Sequence, residues 1–436
     1  MKHLLYILLA LFIKTSFAQT DLSFNNLDSL LKYAETNSIS IKTDEQKMLL
    51  AKWQKISAQA GLVNFRMQTN FNLTDNLALP VSFLPAEMFG GAPGTFKEVT
   101  MGQQYVGNLN MMPQIDIINP ASWSKLKSAN VNSQLSEVNN RIAKKLLFES
   151  ISATYHNIVS MQEQIELTQK SLLIADTLLV NMQNKYTEGI VRQQDLNDAL
   201  VNKLSLTDKL EQLKLSLKQN DYSLKILCDI PENTEIAILQ QLDYNQQFIG
   251  GLEVENQLQY KSSLLKSEMA KADVNLNRFS QLPTVSLVYY DAWQQNSNAS
   301  FFDSNKKWLN SQYAGLKISM PFPDFNRYTV TKSAKINATI SLQNAEHTKL
   351  QNDFANKQFV LDYEKAYSQF VTTKHIYELK QQNYQLAINQ FKMNILSSDK
   401  LLIAFNDMIT SRLNYSNSLA NLLFSKSKID INNSIK

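Results

Sequence analysis

The sequence predicts a mainly α protein with a small β part, built from long antiparallel coiled-coil helices and two β-hairpins. Three observations predict it. Glycine and proline are scarce and unevenly spread, with 10 and 9 in 436 residues. The stretches that lack them carry apolar residues stepping by three and four. Two other regions alternate apolar and polar residues with period two.

The chain starts with Lys2 and His3, an apolar run from Leu4 to Ile13, and the small-residue site Ser16-Phe17-Ala18. This reads as an export signal over 1–18, cut after Ala18. A run of that length is too short to span a bilayer, which takes about 20 apolar residues. The first repeat is then expected over 19–230 and the second over 231–436.

Interior proline breaks a helix and interior glycine weakens it. Between Pro120 and Pro231 the one glycine is Gly189, and beyond Pro323 there is neither Gly nor Pro. Helical hairpins are therefore expected over about 121–230 and about 324–436. Val131, Leu135, Val138 and Ile142 step by 4, 3, 4, as do Leu206, Leu210, Leu213 and Leu217. Ile151, Tyr155 and Ile158 step by 4, 3, and so do Tyr363, Tyr367 and Phe370. That spacing is the seam of helices packed side by side. A helix from Ala121 to Tyr186 would run on the order of 100 Å at 1.5 Å per residue, which implies an elongated molecule.

The β-hairpins are expected over about 65–117 and 284–320. Phe65, Met67, Phe71 and Leu73 alternate with Arg66, Gln68, Asn70 and Asn72. Leu316, Ile318 and Met320 alternate with Lys317 and Ser319, with Tyr313 in the polar register. Period two over such lengths is the strand signature. The first hairpin carries a long loop, Ala78 to Gly102, rich in Pro and Gly. The second loop, Gln294 to Lys307, is shorter. Trp293, Trp308, Tyr289 and Tyr290 lie near strand ends, where aromatic residues can mark a membrane boundary.

The halves repeat. Lys127-Ser128-Ala129 matches Lys332-Ser333-Ala334 at an offset of 205, and the same offset sets Ile190 on Ile395 and Leu196 on Leu401. Before the hairpins, Asn37 to Lys42 sits on Asn256 to Lys261 at 219, the difference matching the longer first loop. Each half reads as helix, β-hairpin, long helix, turn, helix.

Composition narrows function. One cysteine, Cys228, excludes a disulfide framework, and its setting reads as core packing. Four histidines without an HExxH setting leave no metal centre, and a net charge of +4 without a basic block argues against nucleic acid. No nucleophile–base pair or phosphate loop stands out, so the sequence offers no catalytic residue and no cofactor. His156 and His375 read as surface or seam residues. The hairpins carry the positive signal. Two amphipathic hairpins are not stable alone in water. If their apolar side meets lipid, every strand edge must be paired, and four strands are too few to close a barrel. Several chains must share one: two would give eight strands, three twelve. Phe65, Met67, Phe71, Leu73, Leu316, Ile318 and Met320 would face lipid. The polar set would face the lumen.

The chain resembles the TolC-like outer-membrane efflux proteins over nearly its whole length. The resemblance rests on the repeated organisation and on Tyr186-Thr187-Glu188-Gly189-Ile190-Val191, which continues to Asp195 and Asp198. Lys317-Ile318-Ser319-Met320-Pro321-Phe322-Pro323 and Gln281-Leu282-Pro283-Thr284-Val285 add a strand exit and a strand entry of the family's type. The resemblance implies a homotrimer with a shared twelve-stranded barrel in the outer membrane and an α-barrel projecting into the periplasm. It implies passive export of small molecules handed on by an inner-membrane transporter and a periplasmic adaptor, the membrane fusion protein. Protein secretion of type I is the variant within the family, and a periplasmic coiled-coil scaffold is the competing class.

By the same resemblance the two helical turns are the periplasmic tips, where the adaptor docks and the aperture narrows. Tyr186, Gly189, Ile190, Val191, Asp195 and Asp198 form the first, and Asn394, Ile395, Ser397, Asp399 and Lys400 the second. Gly189 suits a left-handed residue between helices, and Asn394 is the next-best residue there. The acidic positions Asp195 and Asp198 fall on Lys400 and Ile403 in the second repeat, so an Asp195–Lys400 contact between neighbouring helix pairs is expected in place of the family's ionic lock.

Overall fold

The computed structural model describes residues 22–243, 252–321, 325–393 and 395–435. The expected export signal over 1–18, Asn394 and the Phe322-Pro323 exit lie outside these residues. The chain forms two compact units, one built from Met1–Met48, Glu137–Ser262 and Glu346–Lys436, the other from Leu49–Ser136 and Ser263–Ala345.

In chain order the elements are β1 (Leu22–Phe24), α1 (Leu27–Asn37), α2 (Ile39–Ala60), β2 (Phe65–Asp75), β3 (Val81–Pro85), β4 (Phe96–Thr100), β5 (Tyr105–Ile118), α3 (Pro120–Thr187), α4 (Gln193–Cys228), β6 (Ile236–Ile238), α5 (Leu258–Phe279), β7 (Thr284–Ser297), β8 (Leu309–Ser319), α6 (Phe325–Lys392) and α7 (Ser398–Ser434). The mainly helical class holds. Helices α3 and α6 each run 68 residues, as their freedom from Pro and Gly requires.

Each half runs strand, helix, sheet strands, long helix and second helix. Strand β1 opens the first half and β6 the second, and they pair in parallel, Leu22 with Ile236 and Phe24 with Ile238. Neither strand is foreseen from the sequence, since three residues carry no readable period. In the first half, Asp229 ends α4 in the left-handed region at φ 53, and its carboxylate accepts from the N–H of Ile39 at 2.7 Å, which starts α2. In the second, Asn256 accepts from the N–H of Leu258 at 3.1 Å at the start of α5. Its side-chain amide donates to the carbonyls of Asn432 and Ile435 at the end of α7, both at 2.8 Å. In both halves, the end of the helical hairpin is tied to the start of the helix leading into the strands.

The first unit is held by a core of Leu30, Ile151, Tyr155, Ile158, Leu224, Cys228, Tyr363, Phe370, Leu419 and Leu422, all buried. Cys228 is fully enclosed, and burial pushes its thiol up to about 12, as expected of a packing residue. Val131, Leu135, Val138, Leu210 and Leu213 are buried as their spacing demands. Tyr367 is not: it is 43 % exposed, because the Tyr363–Phe370 step already fills that seam. His156 is a seam residue at 6 % exposure, bonded through Nε2 to Ser427 Oγ at 2.9 Å.

In the second unit the strands form one antiparallel sheet in the order β2-β5-β7-β8. The hairpins are joined by β5–β7 pairing rather than standing apart, and the sheet is open, with β2 and β8 as its edges. Two loop expectations are corrected. Residues 78–102 contain a second hairpin, β3–β4, around a 3₁₀ turn at Ala86–Phe89, because the Pro and Gly residues fall in its turns. Strand β7 continues to Ser297, so the second loop starts at Asn298, past the expected Gln294. At one end of the sheet Asp116 accepts from Arg66 at 3.0 Å, Ser286 at 2.7 Å, Gln114 at 3.1 Å and Asn119 at 3.2 Å, and also from Asn64. This single carboxylate ties β2, β5 and β7 to the start of α3.

Candidate functional site

Two places stand out, the sheet and the paired turns of the helical hairpins, each within its own unit.

The register assigns every strand residue to a face. One row runs Phe65, Ile115, Leu287, Leu316. The same face carries Met67, Phe71 and Leu73 of β2, Tyr289 and Trp293 of β7, and Ile318 of β8. All seven residues expected on the apolar side are exposed, Met320 lying just past the end of β8. Ile115, Leu287 and Trp293 join them. Sequence reading overlooks Ile115, leaves Leu287 without a face and places Trp293 only near a strand end, because β5 and β7 carry long apolar–polar mixtures whose face is fixed only by the pairing. The other face is polar. Asn70 donates to Asn110 at 3.1 Å, Asn110 to Asn108 at 2.9 Å, and Gln294 to Asn296 at 2.8 Å. Tyr290 stacks on Tyr313 there at 4.9 Å, so Tyr290 does not share the apolar face with Tyr289 and Trp293.

The apolar face is not a rectangle. On β2 it extends from Phe65 to Leu73. On β8 it runs from Ala314 to Met320. The row through Thr69 and Met111 meets Asp291 and Gln312, and Asn310 Nδ2 donates to Asp291 at 2.7 Å. The centre of the apolar band therefore shifts by about five residues across three strand spacings, a slant of roughly 45–50° at about 3.3 Å per residue and 4.8 Å per spacing. Strands of membrane barrels tilt by about 35–45°. No helix among the described residues is long and apolar enough to cross a membrane.

The turns are built alike. After α3 the N–H of Ile190 donates to Lys185 O at 2.8 Å, and after α6 that of Ile395 donates to Gln390 O at 2.9 Å, donors and acceptors both at the offset of 205. Gly189 has φ +73, the left-handed conformation that glycine adopts at least cost. Tyr186 and Ile190 are exposed and Val191 is half-buried. Arg192 and Ser397 occupy matching N-cap positions. Asp195 is buried and accepts from the backbone N–H of Arg192 at 2.9 Å and from its guanidinium at 3.3 Å. The Arg192 side chain, its backbone N–H and the Ser398 hydroxyl hold the Asp195 carboxyl below the usual carboxylate range. The Ser397 hydroxyl does the same for Asp399. Within the chain, Arg192 is the cation beside Asp195, being three residues away on the same helical turn. Asp198 and Lys400 are exposed.

Arg192 escapes sequence reading because arginine is an unusual N-cap, and Ser398, readable only as a cap of its own helix, reaches Asp195 once the two hairpins pack. They pack around Met182, Ala199, Tyr384, Leu401, Leu402 and Phe405, with Lys185 Nζ 4.0 Å from the centre of the Phe391 ring. The arrangement joins both turns by charge and apolar contact, and it carries no metal-ligating cluster among the described residues.

No family model matches the chain, and no curated protein matches it in sequence. Solved structures do. The outer-membrane channel CmeC of Campylobacter jejuni matches with a TM-score of 0.75 at 15% identity, over 93% of this chain and 85% of that one. The outer-membrane protein VceC of Vibrio cholerae gives 0.75 at 14%, over 92% and 94%. The open state of the MtrE outer-membrane channel of Neisseria gonorrhoeae gives 0.72 at 14%, over 96% and 92%. The fold is that of the TolC-like outer-membrane channels. The TolC-like likeness runs through sheet and helical hairpins together, since more than nine-tenths of the chain is covered in each of the three.

Proposed function

We propose that this chain is the outer-membrane exit duct of a tripartite efflux system, passing small molecules received from an inner-membrane transporter and a periplasmic adaptor. The observation that carries the reading is the slanted apolar band on a sheet with two unpaired edges. An open edge in hydrocarbon leaves backbone N–H and C=O groups unsatisfied, so β2 of one copy pairs with β8 of the next until the wall closes. Three copies give twelve strands. The Asn, Gln and Tyr face lines the lumen and offers passing solutes hydrogen-bond partners in place of water. It carries no catalytic group, and transport is passive.

The helical hairpins then form the α-barrel in the periplasm, with the paired turns at its entrance. Gly189, Ile190, Val191, Ile395 and Ser397 present the docking surface to the adaptor, Tyr186 flanks it, and the aperture is lined by Asp198, Asp399 and the Arg192–Asp195 pair. Lys400 faces the acidic side chains of the adjoining helix pair. The test is direct. Detergent-solubilised protein should have the mass of three chains and open conductive pores in a planar bilayer. A single-chain mass in detergent without conductance rejects the reading.

A further inference from the structure

We propose that Lys317 is a charge filter of the duct: its copies form a ring of ammonium groups midway along the lumen that favours anionic solutes over cations. This rests on the shared-barrel reading and adds to it the charge class of the cargo.

The register sets where Lys317 stands. Its neighbours Leu316 and Ile318 lie on the apolar face, 68 % and 70 % exposed, so alternation puts Lys317 on the polar one. It is the middle residue of the apolar stretch of β8, Ala314–Met320, and so lies level with the centre of the band. A lysine at that depth is tolerated only where its side of the wall is wet.

The polar face carries three charged side chains among the described strand residues, Arg66, Asp116 and Lys317. Arg66 and Asp116 form an ion pair at 3.0 Å, with the carboxylate side chain 1 % exposed, and their charges cancel. Lys317 stands opposite Ser286, whose hydroxyl is already donated to Asp116 at 2.7 Å. Its own side chain is exposed, and no ion pair among the described residues involves it. From the row of Gln68 and Tyr313 to that of Thr74 and Asn296, no residue on this face is charged. Each chain therefore gives the lumen one uncompensated charge, and it is positive.

Wetting alone is served by serine and amide side chains, which line most of this face, so the charge acts on what passes. A wall of twelve strands about 4.8 Å apart, tilted by about 45°, has a radius on the order of 13 Å. An extended lysine stem carries its ammonium well inside that radius, and charges act over about 8 Å at physiological ionic strength. A solute crossing the ring enters the field of three ammonium groups. A carboxylate or phosphate is drawn in, and a cation of the same size is held off.

Lysine on a sheet edge also guards against wrong strand pairing, and β8 is an edge until copies assemble. A guard has no effect on which ions pass once the wall has closed, so selectivity separates the two roles.

The test uses purified full-length protein in planar bilayers under a KCl gradient, which reads the ratio of chloride to potassium permeability. The ratio should fall several-fold in Lys317→Gln and further in Lys317→Glu, while Lys317→Arg keeps it. The acidic turns are the same in all four proteins, so the differences report the strand position alone. Equal ratios overturn the filter and leave the duct standing, whereas wild-type protein without conductance removes the duct itself. A second measurement needs no variant. Citrate added on the barrel side of wild-type pores should reduce their current at low salt and not in about 1 M KCl, where charges act over only about 3 Å. Current unchanged by citrate at low salt, or reduced equally in both, overturns the proposal.

Discussion

The carboxylate of Asp229 stands at the end of one long helix and caps another, accepting from the N–H of Ile39 at 2.7 Å and from the hydroxyl of Ser38 at 3.3 Å. The two residues are 190 positions apart. Asp229→Ala removes the cap and keeps a left-handed site that alanine tolerates poorly. It should cost about 1–2 kcal/mol, the usual worth of an N-cap. Asp229→Asn, which caps as well and accepts the left-handed conformation, should cost far less. Thermal melting of the solubilised protein separates the two, and equal losses would contradict the capping role.

Gly189 offers a test of backbone alone. A Cβ added there meets nothing within 4 Å, so Gly189→Ala changes conformational strain and no packing. The expected cost is about 1 kcal/mol. It should appear as faster hydrogen exchange of the Ile190 amide, which donates to Lys185 O, with the α3–α4 core unchanged.

At the turns, Asp195 is held below the usual carboxylate range chiefly by the Arg192 side chain. The sign follows. A depressed carboxyl contributes stability above its unfolded value and loses it as pH falls through the folded one. If the turns close the proposed duct, its leak conductance should therefore stay flat near neutrality and rise only below about pH 4, the ordinary carboxylate value. Arg192→Ala should move the rise to higher pH. A profile that the substitution leaves in place would show that this pair does not hold the turn.

His156 gives the opposite kind of pH dependence. Burial lowers its pKa to about 4, so the folded state resists a proton that the unfolded chain takes up near 6.5. Stability should fall as pH drops from about 6.5 towards 4, by up to about 3 kcal/mol at 1.4 kcal/mol per unit. His156→Gln keeps a donor for Ser427 and should flatten that slope. A slope unchanged in the variant would assign it to other groups.

The long helices were legible because nothing interrupts them: a 68-residue helix follows from missing Pro and Gly together with the 4, 3 steps. The apolar strand positions were equally plain on β2 and β8, where one residue in two is apolar. Strands β5 and β7 were harder. They lie between other strands, so their faces are set by partners, and Tyr290 reads like Tyr289 until the Tyr313 ring is beside it. The hairpin inside 78–102 was hidden by its own turn residues, which read as loop. At the turns the offset of 205 sets Ile190 on Ile395, whose amides donate to carbonyls at the same offset, yet it could not reveal that Arg192 would partner Asp195, because a helix start brings residues three apart together on one side whatever their repeat equivalents are.

A sheet of four strands with both rims bare has no comfortable solitary existence. In water its greasy side invites sticking, and in fat its margins starve for partners. If the wall is shared between copies as proposed, membrane entry, folding and counting of subunits happen as one event rather than in sequence.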